Sequence, residues 1–473
     1  MMPRPSADSS KPSPSRVVAF AVLMESLRSD EGLDLLLERA VAKTPLDVRD
    51  RALAVEMAYG VMRRLGTIDW RLASVLDKPL DRLPAAIQAV LRIGAYQLLF
   101  LDRVPASAAV SESVKLEKAQ RDKLKRDWSG LVNAVLRALI RSPAPPWPSM
   151  EADASQALAV RYSVPEWLSR RWLDRWGIER AAAACEQAAL IPPVTLRVNR
   201  LQITRNDFLS RLTDAGLAAT ATRISPAGVS LQQAGAVTSI PGFSEGHFYV
   251  EDEAAQLIPP LLDVQPGDLV LDACAAPGGK STHLAELMKD TGRIYAVDRS
   301  EARLKLLEAN RRRLHHASVV PLLADIRSPS WTQAISQEIG QGQGLATFDR
   351  ILVDAPCSGL GVLRRHPEAK WRKSSEQFGR HQVLQLQILD STALRLRPGG
   401  VLVYSTCSTE AEENEAVIEQ FLRSHADFRR DSVAPWLPAA AHDLVTERGD
   451  LFTIGNHDLM DAFYAARLKH VHP

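Results

Sequence analysis

A chain of 473 residues is too long for one compact core, so two or three domains are expected. With 46% hydrophobic and 24% charged residues it is neither a disordered nor a membrane-embedded chain, and a net charge of +2 leaves a nucleic-acid partner to be judged from local clusters. Four cysteines without a Cys-x-x-Cys pair or a His/Cys cluster argue against a disulfide framework and against a metal site, and free thiols imply a reducing, cytoplasmic compartment.

Residues 1–15, rich in Ser and Pro, are expected to form a disordered tail. The apolar run from Val17 to Met24 continues into Glu25-Ser26-Leu27-Arg28 with helical spacing, which predicts a buried helix rather than a secretory signal. No stretch reaches the roughly 18 apolar residues of a membrane span. Residues 16–145 read as all-helical, with Leu53, Met57 and Val61, and again Val132, Leu136 and Ile140, recurring at i, i+4, i+8. Lys115, Lys118, Arg121, Lys123, Lys125 and Arg126 crowd against only Glu117 and Asp122. That run is either a solvated helix face or a set of phosphate contacts for RNA.

Ser142 to Pro148 holds four prolines and marks a boundary. An α+β module is expected over 146–244: a helix from Pro165 to Gln187 with Trp167, Trp172 and Trp176 as packing residues, a strand from Val194 to Arg200, a helix from Asn206 to Ala215 and a strand at Val229–Leu231. Arg197 and Asn199 either face RNA or serve the fold.

Residues 245–473 carry the chemistry. The apolar run at Leu269 ends in Asp272, breaks into Ala273-Cys274-Ala275-Ala276-Pro277-Gly278-Gly279-Lys280, and enters a helical pattern from Ser281 to Met288. This is a strand, a tight loop and a helix N-terminus, where glycines admit a ligand and free N–H groups meet it. It lacks the G-x-G-x-x-G spacing of a dinucleotide site. Further strands end in Asp298, twenty positions after Gly278, in Asp325 and in Asp354. Four strand-end carboxylates on one sheet edge suit a cationic, donor-rich ligand gripped by its ribose. S-adenosylmethionine fits that description better than a pyrophosphate.

Two thiols follow strands of the same sheet: Cys357 in Ala355-Pro356-Cys357-Ser358 and Cys407 in Thr406-Cys407-Ser408. A pyrimidine C5 is not nucleophilic until a soft nucleophile adds to C6, and a thiolate does so reversibly. Asp354 is placed to hold or protonate the base at N3. Spacing alone leaves either cysteine open as the nucleophile. Cys185 and Cys274 are expected to be unreactive.

The segments 272–280, 354–358, Arg364-Arg365-His366-Pro367 and 405–408 together resemble the RNA cytosine-C5 methyltransferases, in particular the bacterial 16S rRNA enzymes of the RsmB/Sun/Fmu type (NOL1/NOP2/Sun family). Segments 50–60 and 130–137 resemble the NusB fold. The resemblance implies a multidomain chain: an all-α NusB-like RNA-binding domain (16–145), a small α+β linker or RNA-recognition module (146–244), and a Rossmann-like class I α/β methyltransferase domain (245–473). It implies Cys407 as nucleophile and Cys357 as the group assisting release. Cys274, Ala275, Ala276, Pro277, Gly278, Gly279, Lys280, Asp298, Asp325 and Asp354 would hold S-adenosylmethionine. It also implies small-subunit rRNA as substrate and a monomer as the working form.

The basic segment Arg364–Lys373, with His366 and Trp371 interleaved, would then receive the RNA backbone. The chain departs from the family pattern at Ala462, where Gly is usual, and at Ala324-Asp325-Ile326-Arg327, which puts loop geometry around Asp325 in question. A non-catalytic RNA-binding factor, a small-molecule methyltransferase, and an enzyme acting on tRNA or another rRNA site are the competing readings.

Overall fold

The computed structural model of the protein describes residues 10–29, 31–232, 235–339, 347–454 and 460–471. Most of the expected tail, residues 1–9, lies outside these. The first helix begins at Pro14, whose ring presets φ for a helix start. The described chain divides by internal contacts into two units. One holds the residues up to Ile191 together with Leu363–Arg372, and the other holds Pro192–Val362 and the residues from Lys373 on.

The first unit is helical. Helices Pro14–Ser26, Val48–Arg63, Ala85–Phe100 and Ser129–Arg141 share one core in which Val18, Met57, Val61, Val90 and Leu136 have no or almost no exposed surface. Met57 and Val61 follow the expected periodicity, with Leu53 packed against the same cluster. In the last of these helices the stripe runs Val132, Val135, Leu136 and Leu139 instead, and Ile140 is 49% exposed. The i, i+3, i+4, i+7 spacing of the buried face replaces the i+8 position. Trp147 of the proline-rich stretch stacks on Trp70 with ring centroids 4.7 Å apart. Helices Ala154–Tyr162 and Glu166–Ala189 also belong to this unit, and the second is broken at Gly177, where φ is +73°. Trp172 is core, and stacks on Trp176.

Residues 363–372 of the basic segment are part of this helical unit, and for Lys370, Trp371 and Arg372 that corrects the expectation of an RNA-receiving loop. Lys370 is fully buried and donates to Arg63 O at 3.1 Å, Trp371 Nε1 donates to Met62 O at 2.8 Å, and Arg372 Nη2 donates to Ser26 O at 2.9 Å. Residues 62 and 63 end one helix and Ser26 ends another. The last carbonyls of a helix have no partner within it and carry its negative dipole end, so donors and cations satisfy both needs there. Arg364 O in turn accepts from Arg63 Nη2 at 3.0 Å. Burial pushes the Lys370 ammonium down to about 7. In contrast Lys118, Arg121, Lys123, Lys125 and Arg126 of the other basic run are exposed, with Arg121 paired to Asp127 at 2.7 Å.

The second unit contains two sheets. In the small one, β1 (Val194–Val198), β2 (Ala219–Ala221), β3 (Gly228–Leu231) and β4 (Phe248–Val250) are antiparallel in the order β2-β3-β1-β4. Helix Arg205–Asp214, capped by Thr204, contributes Phe208 and Leu212 to its core. The larger sheet contains β5 (Leu269–Asp272), β6 (Arg293–Asp298), β7 (Val319–Leu323), β8 (Phe348–Asp354), β9 (Leu396–Thr406), β10 (Phe428–Asp431), β11 (Leu451–Phe452) and β12 (Tyr464–His470). The order is β10-β12-β9-β8-β5-β6-β7, with β11 paired to β12.

Strands β9, β8, β5, β6 and β7 are parallel, and β12 and β10 add antiparallel edges. From β5 the chain runs outward to β6 and β7, then returns to β8 and β9 on the other side. That reversal opens a crevice beyond the carboxyl ends of β5 and β8, where open α/β sheets bind ligands. The stretch 431–447, unreadable from sequence, holds short 3-10 helices at Ala434–Trp436 and Ala439–Leu444.

Candidate active site

Strands bordering the crevice deliver functional side chains at or just past their ends. Asp272 closes β5, Asp298 closes β6 and Asp354 closes β8, while Asp325 lies two residues past β7. A cavity of about 270 Å³ is lined by Cys274, Asp298, Asp325, Asp354, Cys357 and Cys407, among others. A neighbouring space of about 180 Å³ is lined by Cys274, Ala275, Ala276, Pro277, Gly279, Lys280, Asp272 and Asp354, with Tyr249 and Glu251.

The loop after β5 owes its course to its glycines. Gly278 has φ of +104°, a region that L side chains rarely adopt, and a Cβ there would meet Leu307 Cγ at 2.9 Å. A Cβ on Gly279 would lie 2.8 Å from Glu251 Oε1. Asp298 fixes the loop from beside it, accepting from Ala276 N at 3.3 Å and Ser300 N at 2.9 Å. Arg303 donates to Ala276 O and stands 3.6 Å from Asp298.

Arg197 holds the other side. It is fully buried and donates to Gly279 O at 2.7 Å, Thr282 Oγ1 at 2.9 Å, Glu251 at 2.5 Å and Glu286 at 3.1 Å. Asn199, also buried, donates to Gly246 O and Leu314 O at 3.0 Å each. Both therefore serve the fold; neither faces RNA. Arg313, at a helix end with no distinguishing pattern in its sequence, donates to Phe243 O and Phe248 O at 3.0 Å.

Charge is unevenly spread across the crevice. Burial pushes the Asp272 carboxyl up to about 7, although Ser281 Oγ donates to it at 2.6 Å. Asp354 is anchored by Lys280 Nζ at 2.6 Å and by Ser405 Oγ at 2.8 Å. Burial pulls the Lys280 ammonium down, but the charge and hydrogen bond of Asp354 outweigh it and leave the lysine above its ordinary value. Asp325 receives Arg327 on both oxygens, and this bidentate contact holds its carboxyl below the usual range. Arg327, which keeps the family pattern, thus clamps the acid two residues before it, and the departures are Ala324 and Ile326 on either side of Asp325. Ala462 lies outside the left-handed region and its N–H donates to Gly361 O at 2.9 Å, so the Gly-to-Ala departure is accommodated without strain.

The two thiols meet. Cys357 Sγ and Cys407 Sγ are 3.4 Å apart and both half-buried. The hydrogen bond to Cys407, followed by burial, pushes the Cys357 thiol well up. Burial and the surrounding acids Asp272, Asp354 and Asp298 raise the Cys274 thiol too.

Behind the thiols lies a residue that no motif marks. Glu413 is fully buried and accepts from Ser358 N at 2.8 Å, Ser358 Oγ at 2.5 Å and Ser408 Oγ, with His381 Nδ1 at 2.7 Å. The acidic cluster Glu410-Ala411-Glu412-Glu413-Asn414-Glu415 just after Cys407 was the available signal, but composition does not say which glutamate turns inward. Among the described residues no group of three or more His, Cys, Asp or Glu could hold a metal ion, and no helix is long and apolar enough to cross a membrane.

A family profile described as 16S rRNA methyltransferase RsmB/F matches residues 259–469, the NusB family matches 13–141, and an RsmF/B-like ferredoxin-like domain matches 164–238. The protein of Pseudomonas syringae pv. tomato named ribosomal RNA small subunit methyltransferase B is 37% identical over 96% of this chain and 96% of its own. A Synechocystis relative, named a probable ribosomal RNA small subunit methyltransferase B, is 36% identical over 96% of this chain and 99% of its own. A crystal structure described as a methyltransferase homolog protein from Pyrococcus horikoshii is 29% identical with a TM-score of 0.55, covering 67% of this chain and 99% of that one. With a NusB domain at its N-terminus, a ferredoxin-like domain and a C-terminal methyltransferase domain, the chain belongs to the family of ribosomal RNA small subunit methyltransferase B.

Proposed function

We propose that this protein methylates C5 of a cytosine in 16S rRNA through a covalent adduct between Cys407 and C6 of the base, using S-adenosylmethionine. The observation that carries the reading is the pair of thiols 3.4 Å apart past the ends of adjacent parallel strands, in one cavity with three strand-end carboxylates. The donor set fits the cofactor. Gly279 lines the space beside Lys280 while Gly278 lines neither space and shapes the loop, Asp298 presents a carboxylate suited to ribose hydroxyls, and Asp325 one suited to an amine. S-adenosylmethionine, when bound, supplies the methyl group as an electrophile.

This chain's own residues do the rest. Cys407 adds as thiolate to C6, forming the C–S bond and moving the ring's electrons toward C5 and N3. Asp354, anchored by Lys280 and Ser405, passes a proton to N3 as that charge arrives and holds the base through it. After C5 is substituted, its proton leaves to a base and the C–S bond breaks, with Cys357 assisting release. Because a paired base cannot present C6 to a thiolate, the target enters unpaired or flipped out. The exposed cations between Lys115 and Arg126 supply phosphate contacts in this reading, and an rRNA substrate together with the protein's free thiols supports a cytoplasmic reaction.

Bisulfite sequencing of total RNA from cells lacking the protein tests the substrate. The expected result is loss of one 5-methylcytosine in 16S rRNA, restored by the intact gene; loss confined to tRNA would transfer the reading to that class.

A further inference from the structure

The parallel ladder between β8 and β9 pairs Asp354 with Ser405, and Cys357 and Cys407 both lie beyond that pair. Sheet hydrogen bonds past this point are few: Ala355 N to Ser405 O at 2.8 Å, and Gly361 N to Cys407 O at 2.9 Å. Something else must set the separation of two thiols on two loops. Each cysteine is followed by a serine, and the serines come as close as the cysteines do, with Ser358 Oγ and Ser408 Oγ 3.2 Å apart. Both turn onto one carboxylate.

We propose that Glu413 is a positioning residue that holds the two thiol loops in register by accepting hydrogen bonds from Ser358 and Ser408 at once. This deepens the thiol mechanism and rests on it. A carboxylate suits the place because only donors converge on it: the Ser358 N–H, two hydroxyls and His381. Ser408 Oγ already accepts from Glu410 N at 3.0 Å, which turns its proton toward Glu413. Burial alone would raise the Glu413 carboxyl, but bonds from His381, Ser358 and Ser408 outweigh it and hold it below the ordinary range, so the acceptor stays charged. Glu413 is itself fixed through its backbone, since Tyr404 Oη on β9 donates to its carbonyl at 2.5 Å, and the next residue, Asn414, ties Thr406 to Ser408 O within the Cys407 loop. It lines neither the thiol cavity nor the space beside Lys280, so its effect reaches the chemistry through Cys357 and Cys407.

The test reads thiol separation directly. Diamide takes two electrons and two protons from a pair of thiols to give a disulfide, and peptide mass spectrometry follows the Cys357–Cys407 bond with time. The wild-type protein is expected to cross-link readily, Glu413→Ala about tenfold more slowly and Glu413→Gln in between, because small misplacements at such sites have large rate effects. Binding of S-adenosylmethionine by calorimetry should stay within about twofold in both variants, since the Glu413 side chain is not among the groups that would hold the cofactor.

In methyl transfer, kcat should fall with the cross-linking rate while KM for RNA holds. Equal cross-linking in wild type and a cofactor-binding Glu413→Ala would overturn the proposal. Should Glu413→Ala fail to fold, the Ser358→Ala/Ser408→Ala double variant removes the same side-chain donors, and cross-linking at the wild-type rate there would overturn it equally. A wild-type protein that methylates no RNA would sink the functional reading, yet leave the cross-linking comparison intact.

Discussion

Cys185 and Cys407 are the same residue in two physical settings. Cys185 sits inside the helical unit with no exposed surface, and burial pushes its thiol up to about 12. Cys407 stands half-exposed past the end of β9, in a cavity, 3.4 Å from a second thiol. On the proposed mechanism the difference in reactivity follows from the terminus of a strand and not from the side chain. A parallel sheet presents all its carboxyl ends on one edge, and whatever follows those ends meets the ligand. Cys274, on that edge and lining the same crevice, is the intermediate case: burial, and then the charges of Asp272, Asp354 and Asp298, push its thiol up.

Substitutions at the two extremes should separate them widely. Cys407→Ala is expected to lower single-turnover methyl transfer by about 10³-fold or more while leaving the melting temperature near that of the wild type, because on the proposed mechanism it removes the nucleophile and little packing. Comparable loss from Cys185→Ser without unfolding would erase the distinction between the two thiols. Cys185→Ser should instead act on stability, costing about 1–3 kcal/mol in chemical denaturation by burying a hydroxyl in a site made for a thiol, with the methyl-transfer rate of the folded fraction unchanged.

A smaller effect should come from the acid beside Cys274. The Asp272 carboxyl rises from 3.8 to about 7 on folding, so the native state binds the extra proton and stability falls as pH rises through that window. Asp272→Asn should therefore raise the melting temperature at pH 8 by a few degrees and lose that advantage near pH 4; a constant difference at both pH values would contradict the shift.

The site was largely legible because its residues follow strands directly. Asp272, Asp298 and Asp354 close apolar runs, the glycine loop and both thiols come within a few positions after them, and register carries them all to one edge. What was left open, the role of Arg197, and what was missed, Glu413, both depended on long-range pairing. Arg197 and Glu413 act through partners 54 to 89 and 5 to 55 positions away, distances at which sequence carries no periodic signal. The two basic segments show the same limit from another side. In sequence 115–126 and 364–373 look alike, yet the first is mostly exposed, whereas the second caps the ends of helices near residues 26 and 63. Charge density says that cations are present, and only the fold says whether solvent or a helix carbonyl meets them.

The sharpest check on the division of labour between the two thiols is covalent trapping. Cys357→Ala and Cys407→Ala proteins would each be incubated with 16S rRNA and S-adenosylmethionine and run on a denaturing gel. A stable protein–RNA adduct is expected from Cys357→Ala alone, since Cys407 can still attack while release is blocked. An adduct from Cys407→Ala alone would reverse the roles of the two thiols, and none from either would contradict the thiol mechanism.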